Sequence, residues 1–332
     1  MRLLIFTFCS LLAGCATTSR DLDRLLTQYE RDGFSGTVLV AQDDRILLHK
    51  GYGFANRERG IRNDTNTLFE VASLSKTFTA AALLELESRG VLKSDDALSK
   101  HLGTFPPEKA EATIHHLATH TGGLVPEGAE LVYGADRDAF VESVKNVGRE
   151  SVPGERYRYT NAGYSMLAAL VEKASGEAFE ANVQKLIERA GLRDTYFRGA
   201  VPEHALPRVA TGYRGSPAEA SAPPPFQWGV RGSGGMVMTV EDLYRWHCAL
   251  HGGRVLSAAP LAKMFHPWPE EGYGWHVTPE LISKGGGMPE YASQLLYYPK
   301  ERVVIVWASN DLGKRWRQTL NRELSAMVRG RR

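Results

Sequence analysis

The chain has 332 residues, 43% of them hydrophobic, enough for one large domain or two packed units around a sizeable core. Lys and Arg total 40 against 38 for Asp and Glu, a near-neutral balance that gives no basis for a nucleic-acid partner. With 3 cysteines, one of them inside the N-terminal apolar segment, no disulfide framework is possible.

The opening residues, MRLLIFTFCSLLAGCATTSR, place one basic residue before an apolar run from Leu3 to Leu12, then small residues around a cysteine. Such a run is an export signal, too short to span a membrane. Leu12-Ala13-Gly14-Cys15 resembles a bacterial lipobox, which implies a lipoprotein signal peptide over 1–14 and lipidation of Cys15. The alternative is an ordinary signal peptide cut after Ala16. The expected location is exported, lipid-anchored to a bacterial membrane and facing the periplasm; Ala16, in place of an aspartate, points to the outer membrane of a Gram-negative host. Cys9 leaves with the signal, and Cys248, in the helix-like EDLYRWHCALHGG, reads as a small buried hydrophobe.

A polar tether over 15–20 leads into a helix from Asp21 to Arg31. FSGTVLVAQDDRILLHKGYGFAN then reads as a hairpin of two apolar strands around Gln42-Asp43-Asp44. From about Thr65 to Ala190 the helical period dominates, with helices over Leu74–Arg89, Asp138–Lys145 and NAGYSMLAALVEKASG, the first stopped by Gly90 and the last by Gly176. SPAEASAPPPFQW is a proline-rich surface loop. Strand signals return in GYGWHV, LISKGGG, YASQLLYY and RVVIVWAS, and Leu312–Val328 closes the chain as an amphipathic helix. Strands at both ends with helices between predict an α+β fold, one antiparallel sheet built from both termini and flanked by helices. Residues 21–64 and 235–332 would form the α/β sheet subdomain and 65–234 an inserted, mainly helical subdomain.

Ser73 and Lys76 stand three residues apart at the start of the apolar helix FTAAALLELE. A chain of this composition holds about one Ser-x-x-Lys match by chance, so context has to carry the pair. Ser73 can cap the helix. It can also be a nucleophile, because positions i and i+3 share a face and a central helix would desolvate Lys76 toward a usable base. The Tyr159-Thr160-Asn161 triplet follows Pro153-Gly154 and ends where a helix starts, so Asn161 is either that helix's cap or a site residue. A Lys or His followed two residues later by Gly occurs at His49, His101, His120, His251 and Lys284. Position selects Lys284, which ends a strand before a glycine-rich edge that a substrate backbone can approach.

In this order the three motifs resemble those of the penicillin-recognising serine hydrolases, in the branch of class C β-lactamases, DD-peptidases and related esterases. TIHHLATHTGGL, PGERYRYTNAGYSMLAALVEKASG, GSGGMVMTVEDLYRW and GYGW extend the likeness over roughly Ser35 to Asn310. The resemblance implies the β-lactamase/transpeptidase-like fold, with Ser73 as the acylated nucleophile, Lys76 as its proton acceptor and Tyr159 as general acid or base between Lys76 and Lys284. Asn161, Lys284 and Gly286 would bind substrate, and the backbone N–H groups of Ser73 and Gly287 would form the oxyanion hole. The implied reaction is acyl transfer from an ester, amide or peptide, peptidoglycan-derived compounds among them, to water, with no cofactor.

The chain departs from that pattern at Gly285, where the family carries a hydroxyl residue that helps hold the substrate carboxylate, and neither Arg315 nor Arg317 is clearly assignable to that task. The departure tilts the expectation toward an esterase or peptidase-like hydrolase. His116 and His120 are spaced as i, i+4, but the glutamate of a zinc-protease motif is absent between them, so no metal is expected. The non-enzyme alternative is a lipid-anchored binding or scaffold protein that keeps the fold without turnover.

Overall fold

The computed structural model describes residues 6–125, 136–215, 218–221, 226–268, 271–311 and 316–329. Its centre is a six-stranded antiparallel sheet. The strands are β1 (Gly36–Gln42), β2 (Arg45–Tyr52), β3 (His276–Val277), β4 (Ile282–Gly287), β5 (Ala292–Tyr298) and β6 (Val303–Ser309), in the order β3-β4-β5-β6-β1-β2. The N-terminal hairpin is zipped to the C-terminal strands by β1 and β6, in register from Gly36 opposite Ser309 to Gln42 opposite Val303. Asp43 and Asp44 make the two-residue hairpin turn with φ of 49° and 63°. That conformation matches the strand twist, and Asp tolerates it better than most residues.

The continuous apolar runs of β1 and β6 follow from burial on both faces. Val38, Val40, Val303, Ile305 and Trp307 pack on one face against Leu22 and Leu26 of α1 (Phe6–Arg31) and Leu320 and Leu324 of the C-terminal helix Arg317–Arg329. Leu39, Ala41, Val304, Val306 and Ala308 face the other way, into a core shared with α2 (Lys76–Ser88) and α3 (Asn161–Ser175). Sheet and helical segment therefore share one apolar core, and α2 is buried along nearly its whole length.

Several elements differ from the sequence expectation. Residues 15–20, expected as a tether, continue α1 back to Phe6; no proline interrupts the segment, and its leucines and alanines favour helix. Of GYGWHV only His276–Val277 is strand. Gly272 N–H donates to the Trp275 carbonyl, so GYGW is a turn, and Gly274 takes φ +80° where it meets the backbone of Lys76. A three-stranded sheet joins Phe69–Glu70 and Thr195–Phe197, from the region expected to be mainly helical, to Met236–Met238, just beyond it. Residues 1–5 of the expected signal segment, parts of the proline-rich loop and Arg315 lie outside the described residues, and only the backbone of Arg317 is described.

Candidate active site

Ser73 sits in a single 3₁₀ turn, Ala72–Ser75, that leads directly into α2. Ala72 adopts φ 47°, the left-handed region, which costs a non-glycine residue about 1–2 kcal/mol. The turn is held by Val71 N–H on the Met236 carbonyl and by Ser75 Oγ–H on the Ala72 carbonyl at 2.7 Å. Ser73 does not cap the helix, since neither the turn nor α2 has a side-chain cap. Its Oγ instead accepts hydrogen bonds from Lys76 Nζ at 3.1 Å and Tyr159 Oη at 2.8 Å.

Lys76 is fully buried and also donates to Asn161 Oδ1 at 2.7 Å and to the Ser233 carbonyl at 2.8 Å. Asn161 can serve it because Thr160 caps α3, its Oγ1 accepting the Gly163 N–H at 3.2 Å. The Tyr159 ring has Lys76 Nζ 4.9 Å and Lys284 Nζ 5.3 Å from its centroid. Both ammonium groups lie where they stabilise negative charge on the phenol.

His120 carries the loop that presents Tyr159. Its ring lies 4.4 Å from the Tyr159 ring, its carbonyl accepts the Arg158 N–H and its Nδ1 accepts the Thr160 N–H at 3.3 Å. Its φ of 58° lets it leave the helix Ile114–Ala118, so it does not share a helical face with His116, whose Nδ1 accepts the Thr113 N–H. Burial, reinforced by Lys284 and Lys76, holds its pKa well below the usual histidine value and keeps the ring neutral.

Lys284, on β4, is buried and forms an ion pair with Glu271. Burial lowers its pKa, and Glu271 opposes that shift. Ser73 opens onto a cavity of about 580 Å³. That cavity is bounded by Ser73, Asn161, Gly287, Arg198, Arg214 and Glu290, among others. Gly286, expected at the substrate, faces the protein instead: a Cβ there would lie 2.1 Å from the Val71 carbonyl oxygen. Its missing side chain lets β4 close onto the turn that carries Ser73.

The structure thus brings Ser73, Lys76, Tyr159 and Asn161 into direct contact and sets Ser73 and Gly287 around one cavity, while Lys284 adjoins Tyr159 and pairs elsewhere. Sequence reasoning missed the Ser233 carbonyl, His120, Glu271 and the two cavity arginines. The first three lie in or beside segments that carry the family resemblance, which was the only available signal. Arg198 is clamped by Glu70 on two nitrogens, and Arg214 hydrogen-bonds Glu290 at 3.5 Å.

Residues 19–327 match the family model described as Beta-lactamase. Penicillin-binding protein 4* of Bacillus subtilis (strain 168) is 30% identical over 315 residues, covering 85% of this chain and 69% of that protein. Esterase EstB of Burkholderia gladioli is 33% identical over 211 residues, 57% of this chain and 54% of the esterase. Among solved structures, a class C β-lactamase superposes with a TM-score of 0.82 at 20% identity over 96% of each chain, a likeness of fold. A serine gripped by a lysine and a tyrosine, on this fold and with these relatives, means that the chain belongs to the β-lactamase family and is a serine hydrolase.

Proposed function

We propose that the protein hydrolyses small esters through a Ser73 acyl-enzyme. The observation that carries this reading is the position of Ser73 Oγ between Lys76 Nζ (3.1 Å) and Tyr159 Oη (2.8 Å) on the edge of an open cavity. Ser73 Oγ attacks the substrate carbonyl carbon, and its proton passes to the Lys76–Tyr159 pair along contacts already in place. The carbonyl oxygen gathers charge and is met by the N–H groups of Ser73 and Gly287. Tyr159 returns the proton to the departing alkoxide, then takes one from the water that cleaves the acyl-enzyme. Asn161 holds Lys76 and, lining the cavity, also borders the substrate.

An ester rather than a β-lactam is favoured by Gly285, which offers no hydroxyl for a substrate carboxylate, and by the likeness to an esterase. The test is hydrolysis of p-nitrophenyl butyrate and a chromogenic cephalosporin by the purified full chain beside Ser73→Ala. Ester turnover that vanishes in the variant is expected; a Ser73-dependent preference for the cephalosporin would overturn the ester assignment. The same proposal sets the enzyme on the periplasmic face of a bacterial membrane, anchored through lipid on Cys15, on the strength of the apolar run and the lipobox-like tetrapeptide.

A further inference from the structure

We propose that Glu271 is a specificity-determining positioning residue: by binding Lys284 in a buried ion pair beside Tyr159, it makes the site prefer neutral esters over esters whose acyl group carries a carboxylate. This rests on the ester-hydrolase reading above.

The pair is shielded, with the Lys284 and Glu271 side chains 5% and 8% exposed. Both carboxylate oxygens are engaged. Oε1 takes Lys284 Nζ; Oε2 accepts the Tyr157 hydroxyl at 3.0 Å and faces His120 Nε2 at 3.7 Å. The His120 Nδ1 accepts the Thr160 N–H, so the ring hydrogen is on Nε2, the nitrogen on the Glu271 side. Separating the ions would forfeit their attraction while leaving each desolvated, so Lys284 stays with Glu271 when substrate enters. Glu271 itself lines a different cavity, of about 350 Å³, with His116, Tyr157 and Trp268.

On the substrate side Arg198 is held by Glu70 in a shielded pair, 12% and 4% exposed, while Arg214, 60% exposed, meets Glu290 at 3.5 Å. An incoming carboxylate would lose its hydration and find these positive groups already facing a carboxylate. A neutral acyl group meets no such penalty. Glutamine at position 271 keeps the shape and the acceptor for Lys284 while removing the opposing charge.

The experiment compares p-nitrophenyl butyrate with mono-p-nitrophenyl glutarate on the full chain and on Glu271→Gln. The parent is expected to favour the neutral ester, and Glu271→Gln to shift the kcat/KM ratio toward the anionic ester by about tenfold or more, the size of one charge-assisted hydrogen bond, with KM for the anionic ester falling relative to KM for the neutral one. A folded Glu271→Gln with the parent ratio overturns the proposal. The double variant Glu271→Gln/Lys284→Met leaves no unpaired buried ion, so it serves even if the single variant does not fold, and it must keep the parent ratio. A double variant that loses the anionic ester selectively would mean that Lys284 holds the substrate carboxylate in the parent, which also overturns the proposal. On the Ser73→Ala background, where neither ester is cleaved, the same shift is read as relative binding. Absence of Ser73-dependent turnover in the parent would therefore overturn the function and still leave the charge argument tested.

Discussion

Ser73→Ala and Thr160→Ala separate a helix cap from a reaction centre. Thr160 is buried and its Oγ1 accepts the Gly163 N–H at 3.2 Å. Replacing such a cap by alanine costs about 1 kcal/mol, roughly 2 °C in a chain of this size. Ser73 satisfies no helix N–H, and without it Lys76 keeps Asn161 and the Ser233 carbonyl. Ser73→Ala is therefore expected within about 0.5 kcal/mol of the parent, while ester turnover falls by about a millionfold, to background. Scanning calorimetry of both variants, paired with p-nitrophenyl butyrate kinetics, reads the two effects independently. A Ser73→Ala protein that loses as much stability as Thr160→Ala, or that still turns over ester, would refute the assignment of its hydroxyl to chemistry.

Tyr159→Phe keeps the ring on His120 and deletes the hydroxyl on Ser73; kcat should drop by about 10² to 10⁴ with KM nearly unchanged, and steady-state kinetics showing a pure KM effect would count against the proton-transfer role. Gly286→Ala drives a Cβ into the Val71 carbonyl and Ser293 Oγ, so a melting curve should show about 1–3 kcal/mol lost together with activity, and an unperturbed variant would contradict the close approach of β4. His120 and His247 are held neutral by burial, their pKa values well below the usual histidine value. Below about pH 6.5 the unfolded chain binds protons that the folded chain refuses, so stability falls as pH drops toward 4, by up to about 1.4 kcal/mol per pH unit for each histidine. His247→Gln should make that slope shallower; an unchanged slope in pH-dependent denaturant melts would exclude its contribution. For the anchor, metabolic labelling with an alkyne fatty acid should mark the parent in a bacterial host and not Cys15→Ala.

The sheet was legible because β1 and β6 carry unbroken apolar runs, Val38–Ala41 and Val303–Ala308, the pattern of strands buried on both faces, and the helices because their periods are uninterrupted. The Ser73–Lys76 spacing was legible for the same reason: one helical turn brings the amine to 3.1 Å from the hydroxyl. What sequence could not resolve were choices between neighbours. Thr160 and Asn161 are both good caps, and only the fold assigns the cap to Thr160 and leaves the Asn161 amide for Lys76. Ser73 looked like a cap because a polar residue precedes an apolar helix, but the 3₁₀ turn and the left-handed Ala72 point its hydroxyl into the site instead. Glu271 stands beside the GYGW segment, but that likeness gives it no partner, because Lys284 is 13 residues away on the sheet.

The two lysines at this site carry the same formal charge and cannot have the same chemistry, because their acceptors differ. Lys76 donates to a hydroxyl, an amide and a carbonyl, acceptors that can bind a neutral amine's N–H as well as an ammonium's, so its proton can leave and return without an orphaned carboxylate. Lys284 is bound to a buried carboxylate, and losing its proton would strand the Glu271 charge in a desolvated site. Proton traffic with Ser73 therefore belongs to Lys76 and Tyr159, and Lys284 acts as a fixed charge beside the phenol ring. A sequence presents both simply as motif lysines; the counter-ion, supplied from the loop before GYGW, assigns one to chemistry and the other to electrostatics.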